Sequence, residues 1–318
     1  MGAAMGWFLL GLVLLALGGD SMVKGAAGLS RRLGWSPFVA GFVLVGLATF
    51  IPEIAVNARA VGIGQSELAL GNAVGSNIVN VGLTLALAAL AAPLLLRWRV
   101  LPVQLVMLAL ATLLAMLLSL DGTLSVLDGV VLLAAFVVAS YVALRRARAE
   151  HAEVREEIEA FTRTSDMLGL NLVRLAIALA LIGAGAWLVV REAPAIGQAL
   201  GLTPLMTGLL PVAIGTALPE VAGAIGAARR GQGDLVAGHV LGSSLVNVLV
   251  VLGAMAVVAA PLAIPASFVR FELPAALVLA LMLLPILRGD MRISRGEGAI
   301  LLFVFVAWLA FELVQLNT

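Results

Sequence analysis

The stretch ATFIPE at residues 48–53, followed by GNAVGSNIVN at 71–80, returns later in the chain as GTALPE at 215–220 and GHVLGSSLVN at 238–247. Residues 34–80 lie over 201–247 without a gap, at a constant separation of 167 residues (34 to 201). Pro37 meets Pro204, Gly41 meets Gly208, Thr49 meets Thr216, Pro52 meets Pro219, Glu53 meets Glu220, Ser76 meets Ser243 and Asn80 meets Asn247. Each copy sets a carboxylate inside an apolar helix. A charge near the bilayer centre costs roughly 2.5 to 3.5 kcal/mol on insertion scales, so such a carboxylate is a functional-site hypothesis by default. Two of them at equivalent places in duplicated halves point to one shared site.

Working outward, the 318 residues are 62% hydrophobic and 12% charged, with mean hydropathy +1.14. That is too little polar surface to cover a soluble globule, so the class is a polytopic all-α membrane protein. A span needs about 20 apolar residues to cross roughly 30 Å of hydrocarbon. Ten such stretches can be read, near residues 6–23, 37–63, 67–95, 100–120, 124–144, 168–190, 205–228, 235–262, 271–287 and 299–316. They divide into a first five-helix repeat at 1–144, carrying the signature 34–80, and a second at 167–318, carrying 201–247. Lys24, Arg31 and Arg32 follow the first stretch, which has no basic segment before it, so it reads as a retained helix. The chain has no cysteine, which removes disulfides and thiolate chemistry. A net charge of +1 argues against nucleic acid as a partner.

Lys and Arg favour the cytoplasmic side of short loops. Against ten alternating crossings, 15 of the 19 basic residues fall on one side, among them Arg31, Arg32, Arg97, Arg99, Arg145, Arg146, Arg229 and Arg230. Both termini are then expected outside, in a bacterial cytoplasmic (inner) membrane. The helix of Glu53 leaves the basic side and the helix of Glu220 arrives at it. Five crossings per half invert the second copy relative to the first, which is the plan of secondary transporters with a midplane site. Residues 145–166 form a charged cytoplasmic linker, in which Glu156, Glu157 and Glu159 read as a solvated face.

Thr49 and Glu53 are four residues apart, on one helix face, and so are Thr216 and Glu220. Pro52 and Pro219 lack an N–H, free the carbonyls of Ala48 and Gly215, and are expected to bend or break their helices. In the next helix, Gly75 and Gly242 precede Ser76 and Ser243, with Asn80 and Asn247 four residues further along. Carboxylate, hydroxyl, amide and carbonyl oxygens suit hard cations, Ca²⁺ in particular and Na⁺ on the same logic. Asp20 and Lys24, at i and i+4, are expected to neutralise each other. His239 stands in the place of Asn72, and a hydrogen-bonded packing role is expected for it ahead of a cavity-lining or proton-carrying one.

The two pairs of signatures resemble the α-repeats of the calcium/cation antiporter superfamily, and most closely the short bacterial members of its sodium/calcium exchanger branch. The resemblance covers essentially the whole chain. It implies a cation cavity of Thr49, Glu53, Ser76 and Asn80 with Thr216, Glu220, Ser243 and Asn247, plus carbonyls around Gly46 and Ala213. It implies no resident cofactor; Ca²⁺ and Na⁺ are bound as transported ions. The chain departs from the family where coupled exchangers commonly carry Asp at one of the two positions held by Asn80 and Asn247, leaving two carboxylates instead of three. It also lacks the hydroxyl after the repeat threonine, which is Phe50 in one half and Ala217 in the other.

The expected function is secondary antiport of Ca²⁺ against Na⁺ by alternating access. The alternatives are divalent cation/proton exchange, with Glu53 or Glu220 carrying the proton, and a passive cation channel. An intramembrane hydrolase needs a Ser/His pair, paired Asp or His-Glu-x-x-His, and His151 and His239 belong to no such arrangement. The chain is therefore expected to be a transporter in the lipid bilayer and not an enzyme.

Overall fold

The computed structural model describes residues 2–33, 46–148, 164–165 and 167–315. Pro37 and Gly41 of the first signature lie outside the described residues, as does most of the linker, including Glu156, Glu157 and Glu159. Among the described residues the protein is nearly all helical, and nine helices are long and apolar enough to cross a membrane.

In chain order the helices are α1 (Gly2–Arg32), α2 (Gly46–Gly62), α3 (Ser66–Ala91), α4 (Val100–Leu118) and α5 (Val126–Arg148). The second half follows with α6 (Leu168–Ala199), α7 (Pro204–Arg229), α8 (Gly233–Val258), α9 (Phe268–Leu287) and α10 (Arg295–Gln315). Four two-residue strands sit at helix ends: β1 (Leu94–Leu95), β2 (Thr123–Leu124), β3 (Leu262–Ala263) and β4 (Arg292–Ile293). β1 pairs antiparallel with β4, and β2 with β3, so each ladder joins one half to the other. Such ladders satisfy backbone groups where the helices run out.

The α3 and α8 spans are the most buried, and they carry the Gly-Ser-x-x-x-Asn runs into the centre. Large apolar side chains such as Leu117, Leu127, Val137 and Phe303 face outward, as a bilayer requires. α1 lies along α6, where Gly11 lets the backbones approach: a Cβ there would meet Gly185 O at 3.0 Å.

Two expectations are corrected by local chemistry. α6 runs to Ala199 instead of ending near 190, because Arg191 lies over the Trp187 ring at 4.8 Å and pairs with Glu192 at 3.3 Å. The charges are thereby accommodated inside the helix. A bend or a break is expected at Pro52 and Pro219; the helices run on through both, so neither proline breaks its helix. Irregularity falls instead in π turns at Asn80–Leu85, Asn247–Val251 and Gly208–Val212, the last containing Pro211. A π turn inserts one residue without ending the helix.

One local arrangement recurs between the halves. Ser125 donates through its N–H and hydroxyl to Asp128 at the start of α5, and Ser294 does the same to Glu297 at the start of α10. Asn77 Nδ2 donates at 3.2 Å to the carbonyl of Ser244, its own counterpart 167 residues later.

Candidate cation site

Glu53 sits on α2 and is 3% exposed; Glu220 sits on α7. Both line one cavity of about 850 Å³, with Thr216, Pro52, Pro219 and His239. Glu53 is within electrostatic range of both Glu220 and His239. Ser243 Oγ, from α8, donates to Glu53 Oε2 at 3.3 Å, a hydrogen bond from one half of the chain to the carboxylate of the other.

Ser76, Asn80 and Asn247 are not among the residues that line this cavity, and their side chains lack hydrogen-bond partners. Asn80 and Asn247 are buried, and no atom of either carboxamide has a hydrogen bond. Glu53 Oε1, Ser76 Oγ and Glu220 Oε2 are also without hydrogen-bond partners. Buried polar groups are rarely left unpaired, since each costs about 1 to 3 kcal/mol. A concentration of unpaired oxygens in two duplicated signatures fits a ligand with no hydrogen-bond donors to offer, such as a hard cation taking 6 to 8 oxygens. Thr216 Oγ1 donates to the carbonyls of Val212 at 2.9 Å and Ala213 at 3.2 Å, so the Ala213 oxygen already has one partner. Gly46 begins α2, and the side chain of Thr49 is outside the described ones.

Sequence reasoning missed the residues that hold Glu53. Asn57 Nδ2 donates to the Glu53 carbonyl at 3.0 Å, and Asn72 Nδ2 donates to Asn57 Oδ1 at 3.2 Å. In the second half these positions are Ala224 and His239. Ala224 offers no amide, so His239 turns elsewhere: its Nε2 lies 3.4 Å from Glu220 Oε2, without hydrogen-bond geometry, and its ring stacks on Phe50 at 5.7 Å between centroids. His239 therefore lines the cavity, which corrects the packing role expected for it. The signal was present in the sequence as the paired exchange of two amides for Ala and His. Asp20 lines the same cavity and accepts a 2.6 Å hydrogen bond from Lys24, as its spacing predicts.

The cavity has a direction. Its lining runs from the two glutamates to Val23, Trp98, Ala143, Arg230 and Gln232, at the end of the molecule that carries Arg97, Arg145, Arg146 and Arg229. At the opposite end α7 presses on α3 backbone to backbone: a Cβ at Gly71 would collide with the Leu205 carbonyl, and one at Gly208 with that of Leu68. The counterparts of Gly71 and Gly75 are less tightly held, and face side chains instead of backbone. The nearest atom to a Cβ at Gly238 would be on Trp98 at 3.3 Å, and at Gly242 on Phe50 at 3.6 Å. The same signature is thus closed in one half and open in the other.

A sequence profile of the family described as sodium/calcium exchanger protein matches residues 3–145 and 170–314. The inner membrane protein YrbG of Escherichia coli is 32% identical over 307 residues, covering 95% of this chain and 94% of that one. The sodium/calcium exchanger MaX1 of Methanosarcina acetivorans is 29% identical over 360 residues, covering 95% and 96%. The solved structure of the sodium-calcium exchanger NCX_Mj, soaked with Na⁺ and Sr²⁺, superposes with a TM-score of 0.68 at 30% identity, covering 97% of this chain and 98% of the other.

Proposed function

The chain belongs to the sodium/calcium exchanger protein family, and from that premise we propose that it is a secondary antiporter exchanging Ca²⁺ for Na⁺ by alternating access at a site between two inverted halves. It is a cation antiporter of the membrane, and its work is transport rather than enzymatic catalysis. The observation that carries the finer reading is the placing of Glu53 and Glu220 on one cavity, each with a carboxylate oxygen that accepts no hydrogen bond. Two carboxylates balance one Ca²⁺ or two Na⁺. Three Na⁺ would leave a charge uncompensated at low dielectric.

With the arginine-bearing end placed in the cytoplasm and both termini outside, the cavity opens inward and the contact of Gly71 and Gly208 closes the outer path. The outward state reverses this. Thr49, Ser76, Asn80, Thr216, Ser243 and Asn247, with carbonyls near Gly46 and Ala213, complete the ion shell as the passage changes sides. By analogy with its relative, the inner membrane protein YrbG, the protein resides in the inner membrane.

A second reading, cation/proton exchange, is favoured by the contact of His239 with Glu220, because histidine changes charge near neutral pH. Ca²⁺ uptake into proteoliposomes separates the two. Uptake driven by a Na⁺ gradient at fixed pH supports Na⁺ coupling; uptake driven only by a pH gradient without Na⁺ replaces it with proton coupling.

A further inference from the structure

Away from the cavity, two more carboxylates are buried, each with one oxygen that accepts no hydrogen bond. Glu272, near the start of α9, is 2% exposed, and Glu312, near the end of α10, is 5% exposed. Glu272 Oε2 and Glu312 Oε1 accept no hydrogen bond, and neither residue has an ion pair among the described residues. The two are close enough for each charge to act on the other. The rings of Phe271 and Phe311, each one residue earlier, lie 5.6 Å apart between centroids. Two acids buried together without a cation are costly, so the arrangement calls for a ligand.

Their place in the duplicated chain identifies it. The buried positions of α4 at Gln104, Leu105, Leu108 and Ala111 recur in α9 at Glu272, Leu273, Ala276 and Leu279, a shift of 168 residues (104 to 272). Those of α5 at Leu132, Ala139 and Ala143 recur in α10 at Leu301, Trp308 and Glu312, a shift of 169 (143 to 312). The strands step in the same way, Leu94 to Leu262 and Thr123 to Arg292. Gln104 and Ala143 line the cavity that leads to Glu53 and Glu220. Their counterparts are Glu272 and Glu312.

In two inverted halves, residues that line the passage on one side have counterparts that line it on the other side in the alternate state. We infer that Glu272 and Glu312 line the outward-facing passage and form there a docking site for a hard cation, Ca²⁺ or Na⁺, ahead of Glu53 and Glu220; this rests on the alternating-access reading above. The passage is asymmetric in charge. Its inner wall carries Gln104, Ala143, Arg230 and Asp20, whose charge is paired with Lys24, and its outer wall carries two acids without an ion pair among the described residues. A carboxylate about 10 Å from a cation at an effective dielectric of about 20 favours it by at least about tenfold, and a divalent ion by more than a monovalent one, so cations are captured at lower concentration from outside than from inside.

The test compares right-side-out with inverted membrane vesicles containing the full chain, with the half-saturating Ca²⁺ concentration of Na⁺-driven uptake measured from each side. Glu272→Gln and Glu312→Ala install the residues found at the counterpart positions. Each is expected to raise the outer half-saturating Ca²⁺ concentration at least about tenfold and leave the inner one unchanged. Gln104→Glu, which perturbs the other half, is expected to lower the inner value. Equal shifts on both sides, or none in any of the three variants, overturn the assignment while leaving the antiport reading in place. Wild-type vesicles with no Na⁺-driven uptake overturn the antiport reading itself.

Discussion

Ser243 Oγ donates to Glu53 Oε2 at 3.3 Å across 190 residues of sequence, joining the serine of one signature to the carboxylate of the other. The link ties α8 to the carboxylate carried by α2. Removing the hydroxyl costs about 1 kcal/mol, the usual net value of a buried hydrogen bond. Ser243→Ala should therefore raise the half-saturating cation concentration about fivefold in vesicle uptake, whereas an unchanged value would detach Ser243 from the site.

Glu53→Gln and Glu220→Gln keep side-chain shape and remove charge. Each should lower Na⁺-driven Ca²⁺ uptake by about a hundredfold or more, since one carboxylate alone leaves a divalent ion half-neutralised at low dielectric. Size-exclusion chromatography in detergent should show both variants folded. Asp20→Asn should act more mildly, because Asp20 already has Lys24 as its partner.

Asn247→Asp adds a third acid at a position whose amide is now unpartnered. It should strengthen the dependence of Ca²⁺ movement on Na⁺, since a third charge can be balanced by a third monovalent ion. Asn247→Ser, which changes size without charge, is the control. Flux measured over several Na⁺ concentrations decides it, and an aspartate profile identical to wild type shows that charge count does not set coupling.

His239 touches Glu220 from within the cavity wall. On acidification an imidazolium there competes with the transported cation for Glu220, and uptake should fall. His239→Asn installs the residue found at its counterpart, Asn72, and should flatten the uptake profile between about pH 5.5 and 8. A profile as steep as that of the wild type would assign the effect to another group.

Gly71 and Gly238 are counterparts in different surroundings. Gly71→Ala forces backbone apart and should destabilise the purified protein by about 1 to 3 kcal/mol, as overpacking does. Gly238→Ala should cost less in the state described. Thermal unfolding in detergent, followed by fluorescence, compares them.

The sequence was most legible where polarity is scarce. In a chain this apolar, Glu53, Glu220 and the Gly-Ser runs stand out, and their duplication implied that they share a place. Helix existence was equally plain, because each span is long. What could not be read depends on contacts between distant segments. The π turns at Asn80 and Asn247 answer to packing rather than to local propensity, so proline looked like the only irregularity. The Asn57–Asn72 bridge became visible as a pattern only once α2 was seen against α3. Glu272 carries no signature and acquires meaning from Gln104, its counterpart on the cavity wall.

The central claim is that Glu53 and Glu220 together hold the transported cation. Equilibrium binding of radiolabelled Ca²⁺ to the purified protein, titrated with Na⁺, tests it most directly. The account predicts that Na⁺ displaces Ca²⁺ from the wild-type site and that Glu53→Gln or Glu220→Gln each abolishes this Na⁺-displaceable binding. Undiminished Na⁺-displaceable Ca²⁺ binding in either variant would contradict it.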